Sequence, residues 1–171
     1  MVMELNSELS VLLKEHFKWN KSRAIVITAV ILAIIKLGTV NLTKLCLALP
    51  GTAKPDSKYR RIQRLFSEMS PAPEMTAKFI ADRLGQIKNV ICIDRTNWKF
   101  GTFNINILYL AVVCEGMAVP LLWTFLNKQG NSNTAERISL PEKYIGLFGA
   151  DSIEAVMGDR EFVGKKFFIS V

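Results

Sequence analysis

Two aspartates stand where apolar segments end. Asp94 directly follows the apolar residues 90–93, and Asp159 follows a second segment, with Ile153, Ala155, Val156 and Met157, after a single glycine. The branched and small side chains of residues 90–93 favour a buried strand, and the second segment repeats the arrangement of a strand that ends in an aspartate. Ligands of open α/β sheets usually bind just beyond the carboxyl ends of the strands. One such aspartate is more often a turn residue or a helix cap. An aspartate at the end of each of two strands indicates a site to which both aspartates contribute.

Metal binding is the chemistry that such a pair can perform. If the second strand returns through a right-handed helical crossover and lies parallel beside the first, Asp94 and Asp159 become neighbours. Two close carboxylates repel each other, so a cation is expected between them. The only histidine, His16, lies among charged residues near the start of the chain, and no CxxC pair is present. Oxygen-preferring ions, Mg²⁺ or Mn²⁺, are therefore the candidates, whereas zinc and His-dependent nucleophiles are disfavoured.

The segment after Asp94 predicts two further strands. Residues 102–113 and 117–125 are apolar and rich in β-formers, and residues 114–116 between them have the composition of a hairpin turn. The first strand is therefore expected to be followed by an antiparallel pair.

A helix is predicted between this pair and the strand that carries Asp159. The residues GNSN at 130–133 open it, and Gly149 ends it. Pro141 lies inside, and a proline in the middle of a helix costs roughly 3 kcal/mol unless the chain kinks or restarts. We predict a kink or a break between Ser139 and Glu142, where the sequence resembles a capping box.

Upstream of these strands the periodicity is helical. Ser22 and Ser57 are predicted caps, and Gly38 is a predicted helix end. The helices are expected over residues 6–19, 22–37, 41–49, 57–69 and 74–84. The helix after Ser57 is basic, with Lys58, Arg60, Arg61 and Arg64 on its polar side. Short helices, a tight turn and a basic last helix are typical of a helix-turn-helix unit, but an amphipathic helix with a hydrated basic face fits the pattern equally well.

Composition and charge indicate a globular chain with a basic first half. The 171 residues are 50% hydrophobic and 22% charged, and the net charge is +7. Residues 1–90 hold 14 Lys and Arg against seven Asp and Glu, whereas residues 91–171 hold eight of each. Such an excess attracts polyanions, although a solvated basic face is the simpler alternative. Two prolines within residues 70–73 predict a linker there.

These features divide the chain into three parts. We expect a helical, DNA-binding type of domain over residues 1–70, a linker with a connecting helix over residues 71–87, and an α/β domain over residues 88–171. The uncharged run at residues 24–35 has twelve residues, fewer than the roughly 20 that span a membrane, so it is expected to be a buried helix. The N-terminus lacks the basic start of a secretory signal, and a cytoplasmic location is expected.

Several short motifs in order resemble one family. They are DRTNWK at 94–99 with Gly101, GDREFVG at 158–164, GTVNL at 38–42, LPG at 49–51, YRRIQR at 59–64 and GNSN at 130–133. Together they are similar to bacterial insertion-sequence transposases of the DDE type, the IS-four group. The resemblance covers nearly the whole chain from about Ser22.

The resemblance implies DNA transposition by an RNase H-like catalytic domain that cleaves and joins DNA. Asp94 and Asp159 would be catalytic metal ligands, in a site that holds two Mg²⁺ or Mn²⁺ ions when complete. The implied partner is double-stranded DNA, as terminal repeats and as target, and the resemblance admits a homodimer on DNA. Arg95, Lys99 and Arg160 become candidates for phosphate contacts, and each can instead pair with a local acid.

One element of the family pattern is missing. The third carboxylate of the family is a glutamate in a Tyr-x-x-Arg-x-x-x-Glu pattern, which this sequence lacks. The expectation is therefore the N-terminal portion of a transposase, with an incomplete RNase H-like domain and doubtful activity of its own. The alternative is a non-enzymatic DNA-binding remnant or an inhibitor of the full-length enzyme.

Overall fold

A computed structural model describes residues 2–85, 87–126, 128 and 130–159. The chain divides into two compact units, Met1–Pro71 and Ala72–Val171. The first unit contains helices α1 (Val2–Phe17), α2 (Lys21–Leu37), α3 (Leu42–Ala48) and α4 (Pro55–Glu68). The second contains α5 (Pro73–Leu84), β1 (Asn89–Phe100), β2 (Phe103–Cys114), β3 (Met117–Phe125), α6 (Thr134–Phe148), a 3₁₀ turn (Ala150–Ser152) and β4 (Ile153–Gly158).

The first unit is built around α2, whose apolar residues the sequence predicted to be buried. Ala24, Val30 and Ala33 of α2 are buried, and so is Ile62 of α4. Among the described residues, no single helix is long and apolar enough to cross a membrane. Helices α2 and α3 meet those criteria only when taken together, and they are bent by 106° at the break between them.

Two of the predicted helix caps are wrong. The cap of α2 is Asn20, whose side chain accepts a hydrogen bond from the Arg23 N–H at 2.8 Å. Helix α4 begins at Pro55 rather than after Ser57. Proline suits a first helical position because its missing N–H has no partner there in any case. The predicted glycine end of α2 is confirmed, since Gly38 adopts the left-handed conformation with φ 60°.

The described residues of the second unit contain a four-stranded mixed sheet with strand order β3-β2-β1-β4. Strands β1, β2 and β3 form an antiparallel meander, and β4 lies parallel to β1. The predicted hairpin turn is confirmed at Glu115 and Gly116, whose positive φ values of 50° and 78° fit a two-residue turn of type I′. The described part of the chain is therefore mixed α/β, with six α-helices, a meander and a parallel fourth strand.

One face of the sheet carries the hydrophobic core of this unit. Ile91 and Ile93 of β1 and Leu108 and Leu110 of β2 are buried there. Ala77 of α5 and Leu140 and Tyr144 of α6 belong to the same cluster. Helix α5, which the sequence assigned to a connecting segment, thus contributes to the core of the second unit.

The predicted break at Pro141 is wrong. Helix α6 continues from Thr134 to Phe148 with Pro141 inside it, and Ser139 donates to the Glu136 carbonyl at 2.8 Å instead of capping a new helix. Leu140 and Tyr144 are almost fully buried. Burying each such side chain contributes roughly 1.5–3 kcal/mol, which is enough to offset the roughly 3 kcal/mol cost of the proline. Stopping the helix before Leu140 would forfeit that burial.

Candidate two-carboxylate site

Asp94 does not leave the strand as the sequence predicted. Strand β1 continues to Phe100, and Asp94 lies in its middle, opposite Tyr109 of β2. On its other side, however, the pairing of β1 with β4 ends at Ile93 and Gly158. Asp94 is therefore internal to the meander and terminal to the parallel pair.

The register of the parallel pair brings the two aspartates to matching positions. Asp94 comes one residue after Ile93, and Asp159 comes one residue after Gly158. Neighbouring strands lie about 4.8 Å apart. Both side chains are exposed. The carboxyl ends of the paired segments of β1 and β4 thus carry one carboxylate each.

The Asp94 carboxylate is held at both oxygens. Its Oδ1 accepts a hydrogen bond from the backbone N–H of Arg95 at 2.7 Å. Its Oδ2 accepts from the hydroxyl of Tyr109 at 2.9 Å. These two bonds fix the side-chain orientation of a carboxylate that is otherwise open to solvent.

The charge of Asp94 also changes the acidity of its neighbours. Burial, the hydrogen bond to Asp94 and the negative charge of that carboxylate raise the pKa of Tyr109 to about 12. Burial first, and then the same charge, raise the pKa of the Cys92 thiol. Tyr109 therefore stays protonated and remains a hydrogen-bond donor at neutral pH.

The two carboxylates, Asp94 and Asp159, are the type of ligand that a hard divalent cation prefers. Carboxylate oxygens are the ligands that Mg²⁺ prefers, and this ion is often held by only one or two carboxylates together with water and substrate phosphates. Within the described part of the chain, no three His, Cys, Asp or Glu side chains are grouped so that they could hold a metal ion. Asp94 and Asp159 would therefore hold Mg²⁺ or Mn²⁺ with other oxygens completing its coordination.

Arg95 points away from the aspartates into a loop contact. Its guanidinium donates to the Gly130 carbonyl at 3.1 Å and to the Asn131 side-chain oxygen at 2.9 Å. Buried Asn106 donates from its amide to the carbonyls of Lys128 and Gly130. Arg95 and Asn106 thus hold the loop that leads into α6, and Arg95 is engaged in structure rather than free for a phosphate.

The same loop is fastened from the helix side. Asn133 and Glu136 form a reciprocal capping box at the start of α6. Lys128 pairs with Glu136 at 2.7 Å. Burial opposes ionisation of Glu136, but the hydrogen bonds from Lys128 and Asn133 and the charges of Lys128 and Arg137 outweigh it and lower the pKa of that carboxyl.

The remaining predicted phosphate contacts in this unit differ in their placement. Lys99 is exposed on β1, opposite Asn104 of β2. Arg160 lies outside the described residues. The structure therefore places Tyr109 against Asp94, and Asp159 at the matching position of the neighbouring strand, and it leaves Lys99 further along β1.

Of the four predicted DNA-binding residues of α4, one already has a structural partner. The Lys58 ammonium donates to the Leu49 carbonyl at 2.6 Å, just after the end of α3. Arg60, Arg61 and Arg64 are exposed. The basic surface of α4 accordingly consists of three arginines, and Lys58 fastens the connection between α3 and α4.

Sequence reasoning missed Tyr109. Its signal was the pair Gly101 and Thr102, which form a two-residue connection between Phe100 and Phe103. Counting outward from that turn pairs Asp94 with Tyr109. A strand that ended at Ile93, as the sequence predicted, would stop before this turn and would leave Asp94 without a partner on β2.

The fold and the two aspartates define a class: a mixed α/β protein with a candidate carboxylate site at the end of a parallel strand pair and a separate basic helical unit. Comparison of the chain with protein-family models, with curated proteins and with solved structures gave no match.

Proposed function

We propose that this chain belongs to the DNA-transposition machinery, with a metal-dependent site for DNA cleavage and strand transfer at insertion-sequence ends, as in the RNase H-like DDE transposases that it resembles. The observation that carries the proposal is the register of β1 and β4, which puts Asp94 and Asp159 at matching positions one residue beyond Ile93 and Gly158. Two carboxylates so arranged suit phosphoryl transfer with Mg²⁺ or Mn²⁺.

The residues of the site have separate roles in this proposal. Asp94 and Asp159 would hold the metal, which when bound supplies charge neutralisation at the scissile phosphate and lowers the pKa of an attacking water or hydroxyl. Tyr109 and the Arg95 N–H orient the Asp94 carboxylate through their hydrogen bonds. Arg95 and Asn106 both donate hydrogen bonds to the Gly130 carbonyl and so keep the loop before α6 in place. Because side chains alternate along a strand, Arg95 lies on the face of β1 opposite to Asp94.

The first unit would bind the DNA. Helices α2 and α3 are separated by four residues that include Gly38, and the bend of 106° between them is within the 90–120° usual for a helix-turn-helix. The exposed arginines of α4 add a positive surface, and phosphate contacts of this kind position a protein on a duplex without reading its sequence. These features support DNA binding through residues 1–70.

Cleavage of supercoiled plasmid by the full chain tests the catalytic proposal. With Mg²⁺ or Mn²⁺ present, only slow conversion of plasmid to nicked and linear forms is expected, because the third carboxylate of the family pattern is missing from this sequence. Loss of a residue that only orients a metal ligand costs roughly 10- to 100-fold. Asp94→Ala or Asp159→Ala, which remove a ligand itself, should therefore lower the rate by about 100-fold or more.

Asp151→Ala is the matched control, because Asp151 is an exposed aspartate of the second unit outside the candidate site. It should cleave like the unaltered chain. Equal rates for the Asp94→Ala and Asp151→Ala variants would contradict the assignment of the site.

A second candidate function is DNA binding without cleavage, as a remnant or as an inhibitor of a complete transposase. It is favoured by the lack of a third acidic, His or Cys group beside the two aspartates within the described residues. Gel shifts separate the two functions. Binding that survives Asp94→Ala, together with no cleavage by any variant, would support the binding function and refute the enzyme.

A further inference from the structure

A positively charged cavity lies in the first unit, between the first turn of α2 and the second half of α4. Its volume is about 220 Å³. Ser22 and Arg23 line it from α2, and Arg61, Arg64 and Glu68 line it from α4. We call these five residues the arginine pocket.

We propose that the arginine pocket binds one phosphate group of a DNA backbone. This inference rests on the proposed function and deepens it, because it adds Ser22 and Arg23 of α2 to the contacts of α4 and assigns a defined site to one phosphate. It also gives Glu68 a role, as the acid that a phosphate displaces.

The charge balance of the pocket favours an anion. Three guanidinium groups face one carboxylate, so the pocket carries a formal charge of about +2. In the described part of the chain, neither Arg61 nor Arg64 has a hydrogen-bond or ion-pair partner for its side chain. Both are therefore available to bind a phosphate, and Arg–phosphate pairs are among the stronger charge-assisted contacts.

The internal ion pair of the pocket is weak enough to be displaced. The Arg23 guanidinium lies 4.0 Å from the Glu68 carboxylate, and the two side chains are 34% and 57% exposed. Exposed ion pairs at such distances stabilise a protein little or not at all. The two non-bridging oxygens of a phosphate can accept two hydrogen bonds from one guanidinium. A phosphate would therefore compete successfully with Glu68 for Arg23.

Size and position agree with a phosphate as the occupant. Pockets for drug-sized ligands usually measure roughly 300–1,000 Å³, so this cavity is small for an organic ligand. Arg61 and Arg64 are three residues apart on α4 and lie on the same side of the helix. The first turn of α2 carries no acidic residue, so the positive end of its dipole adds to the arginines without being neutralised.

Binding of the full chain to a fluorescently labelled DNA duplex, followed by anisotropy, tests the pocket. A hydrogen bond to a charged group contributes roughly 1.5–3 kcal/mol and each 1.4 kcal/mol is tenfold in affinity, so Arg23→Gln and Arg64→Gln should each raise the Kd about tenfold. Glu68→Gln removes the competing acid and should lower the Kd about twofold to threefold.

Lys36→Gln is the matched control. It removes the same unit of charge from the other end of α2, about 20 Å from Arg23 along the helix, and should change the Kd less than about twofold. Circular dichroism checks that each variant is folded. If an arginine variant unfolds, Glu68→Gln still tests the pocket, since removing this exposed carboxylate leaves the core intact.

A second probe separates the pocket from the proposed function. Inorganic phosphate titrated into the full chain, followed by ³¹P NMR, should bind weakly and lose that binding in Arg64→Gln. DNA binding that responds equally to Arg64→Gln and Lys36→Gln overturns the pocket while leaving DNA binding in place. Phosphate binding without any DNA binding overturns the proposed function and DNA as the source of the phosphate.

Discussion

Asp94 takes its orientation from a residue on the next strand. Tyr109 lies directly opposite it on β2 and donates to its carboxylate, so the pair forms one hydrogen-bonded unit on the exposed side of the sheet. A carboxylate fixed in this way loses less side-chain entropy when it binds a ligand. The site is thus partly organised before any ligand arrives.

The coupling within this pair predicts a shift in the titration of Tyr109. Burial is the largest cause of its raised pKa, followed by the hydrogen bond and charge of Asp94. Asp94→Ala should therefore lower the pKa of Tyr109 from about 12 towards the ordinary 10.0, without reaching it. Tyrosine ¹³C NMR titration measures this, with Asp151→Ala as the control. An unchanged Tyr109 titration in Asp94→Ala would show that the two side chains do not interact.

Two predicted phosphate contacts turn out to have structural roles at the residue scale. Lys58 donates to the Leu49 carbonyl, and Arg95 donates to Gly130 and Asn131. A sequence shows a positive charge but not the carbonyl that the folded chain brings to it. Lys58 was expected on a phosphate-binding or a hydrated face, and Arg95 beside a phosphate or an acid, whereas both donate to uncharged oxygens within the protein.

At the scale of elements, the start of α6 positions the loop next to β1. Asn133 accepts a hydrogen bond from the Glu136 N–H at 2.9 Å, and Glu136 accepts one from the Asn133 N–H at 2.7 Å. Lys128 and Arg137 add contacts on either side of this box. The loop is therefore held by its own helix as well as by β1 and β2.

This capping box predicts a measurable loss of stability. Asn133→Ala removes the side-chain acceptor and should lower the free energy of unfolding by about 1 kcal/mol. Asn133→Ser keeps a capping oxygen and should lower it by only a few tenths of that amount. Urea unfolding followed by circular dichroism gives both values. Equal losses for the two variants would mean that the cap does not stabilise α6.

At the scale of the whole molecule, the net positive charge is concentrated in the first unit, because the acidic residues lie mostly in the second. Residues 1–71 hold 11 Lys and Arg and five Asp and Glu, whereas residues 72–171 hold 11 and ten. A duplex binding to the first unit would release counterions from its phosphates. Binding that is driven by counterion release weakens as the salt concentration rises.

The salt dependence of DNA binding is therefore a prediction for the full chain. The logarithm of the affinity should fall linearly with the logarithm of the salt concentration, with a slope of about −0.9 for each phosphate neutralised. Arg60→Gln should make that slope shallower by about 0.9 if Arg60 contacts one phosphate. Anisotropy titrations at several salt concentrations measure it. A slope near zero for the unaltered chain would contradict a phosphate-binding first unit.

Much of the fold follows from local chemistry. Short stretches of sequence predict the glycine ends of α2 and α5 and the turn at Glu115 and Gly116. They also predict the order of three strands, a helix and a fourth strand. The parallel placement of β4 beside β1 also follows, because the connecting helix leaves few topologies. Apart from the pairing of β1 with β4, these features need few contacts between residues far apart in the sequence.

Other features depend on contacts that no short stretch contains. The sequence by itself determined the two aspartates, the apolar runs before them and the basic helix. Only the tertiary structure decided that β1 runs on past Asp94, that α6 passes through Pro141 and that Tyr109 holds the Asp94 carboxylate. The physical reason is that pairing with β2 and burial against the sheet outweigh local preferences, and both come from residues far away in the chain.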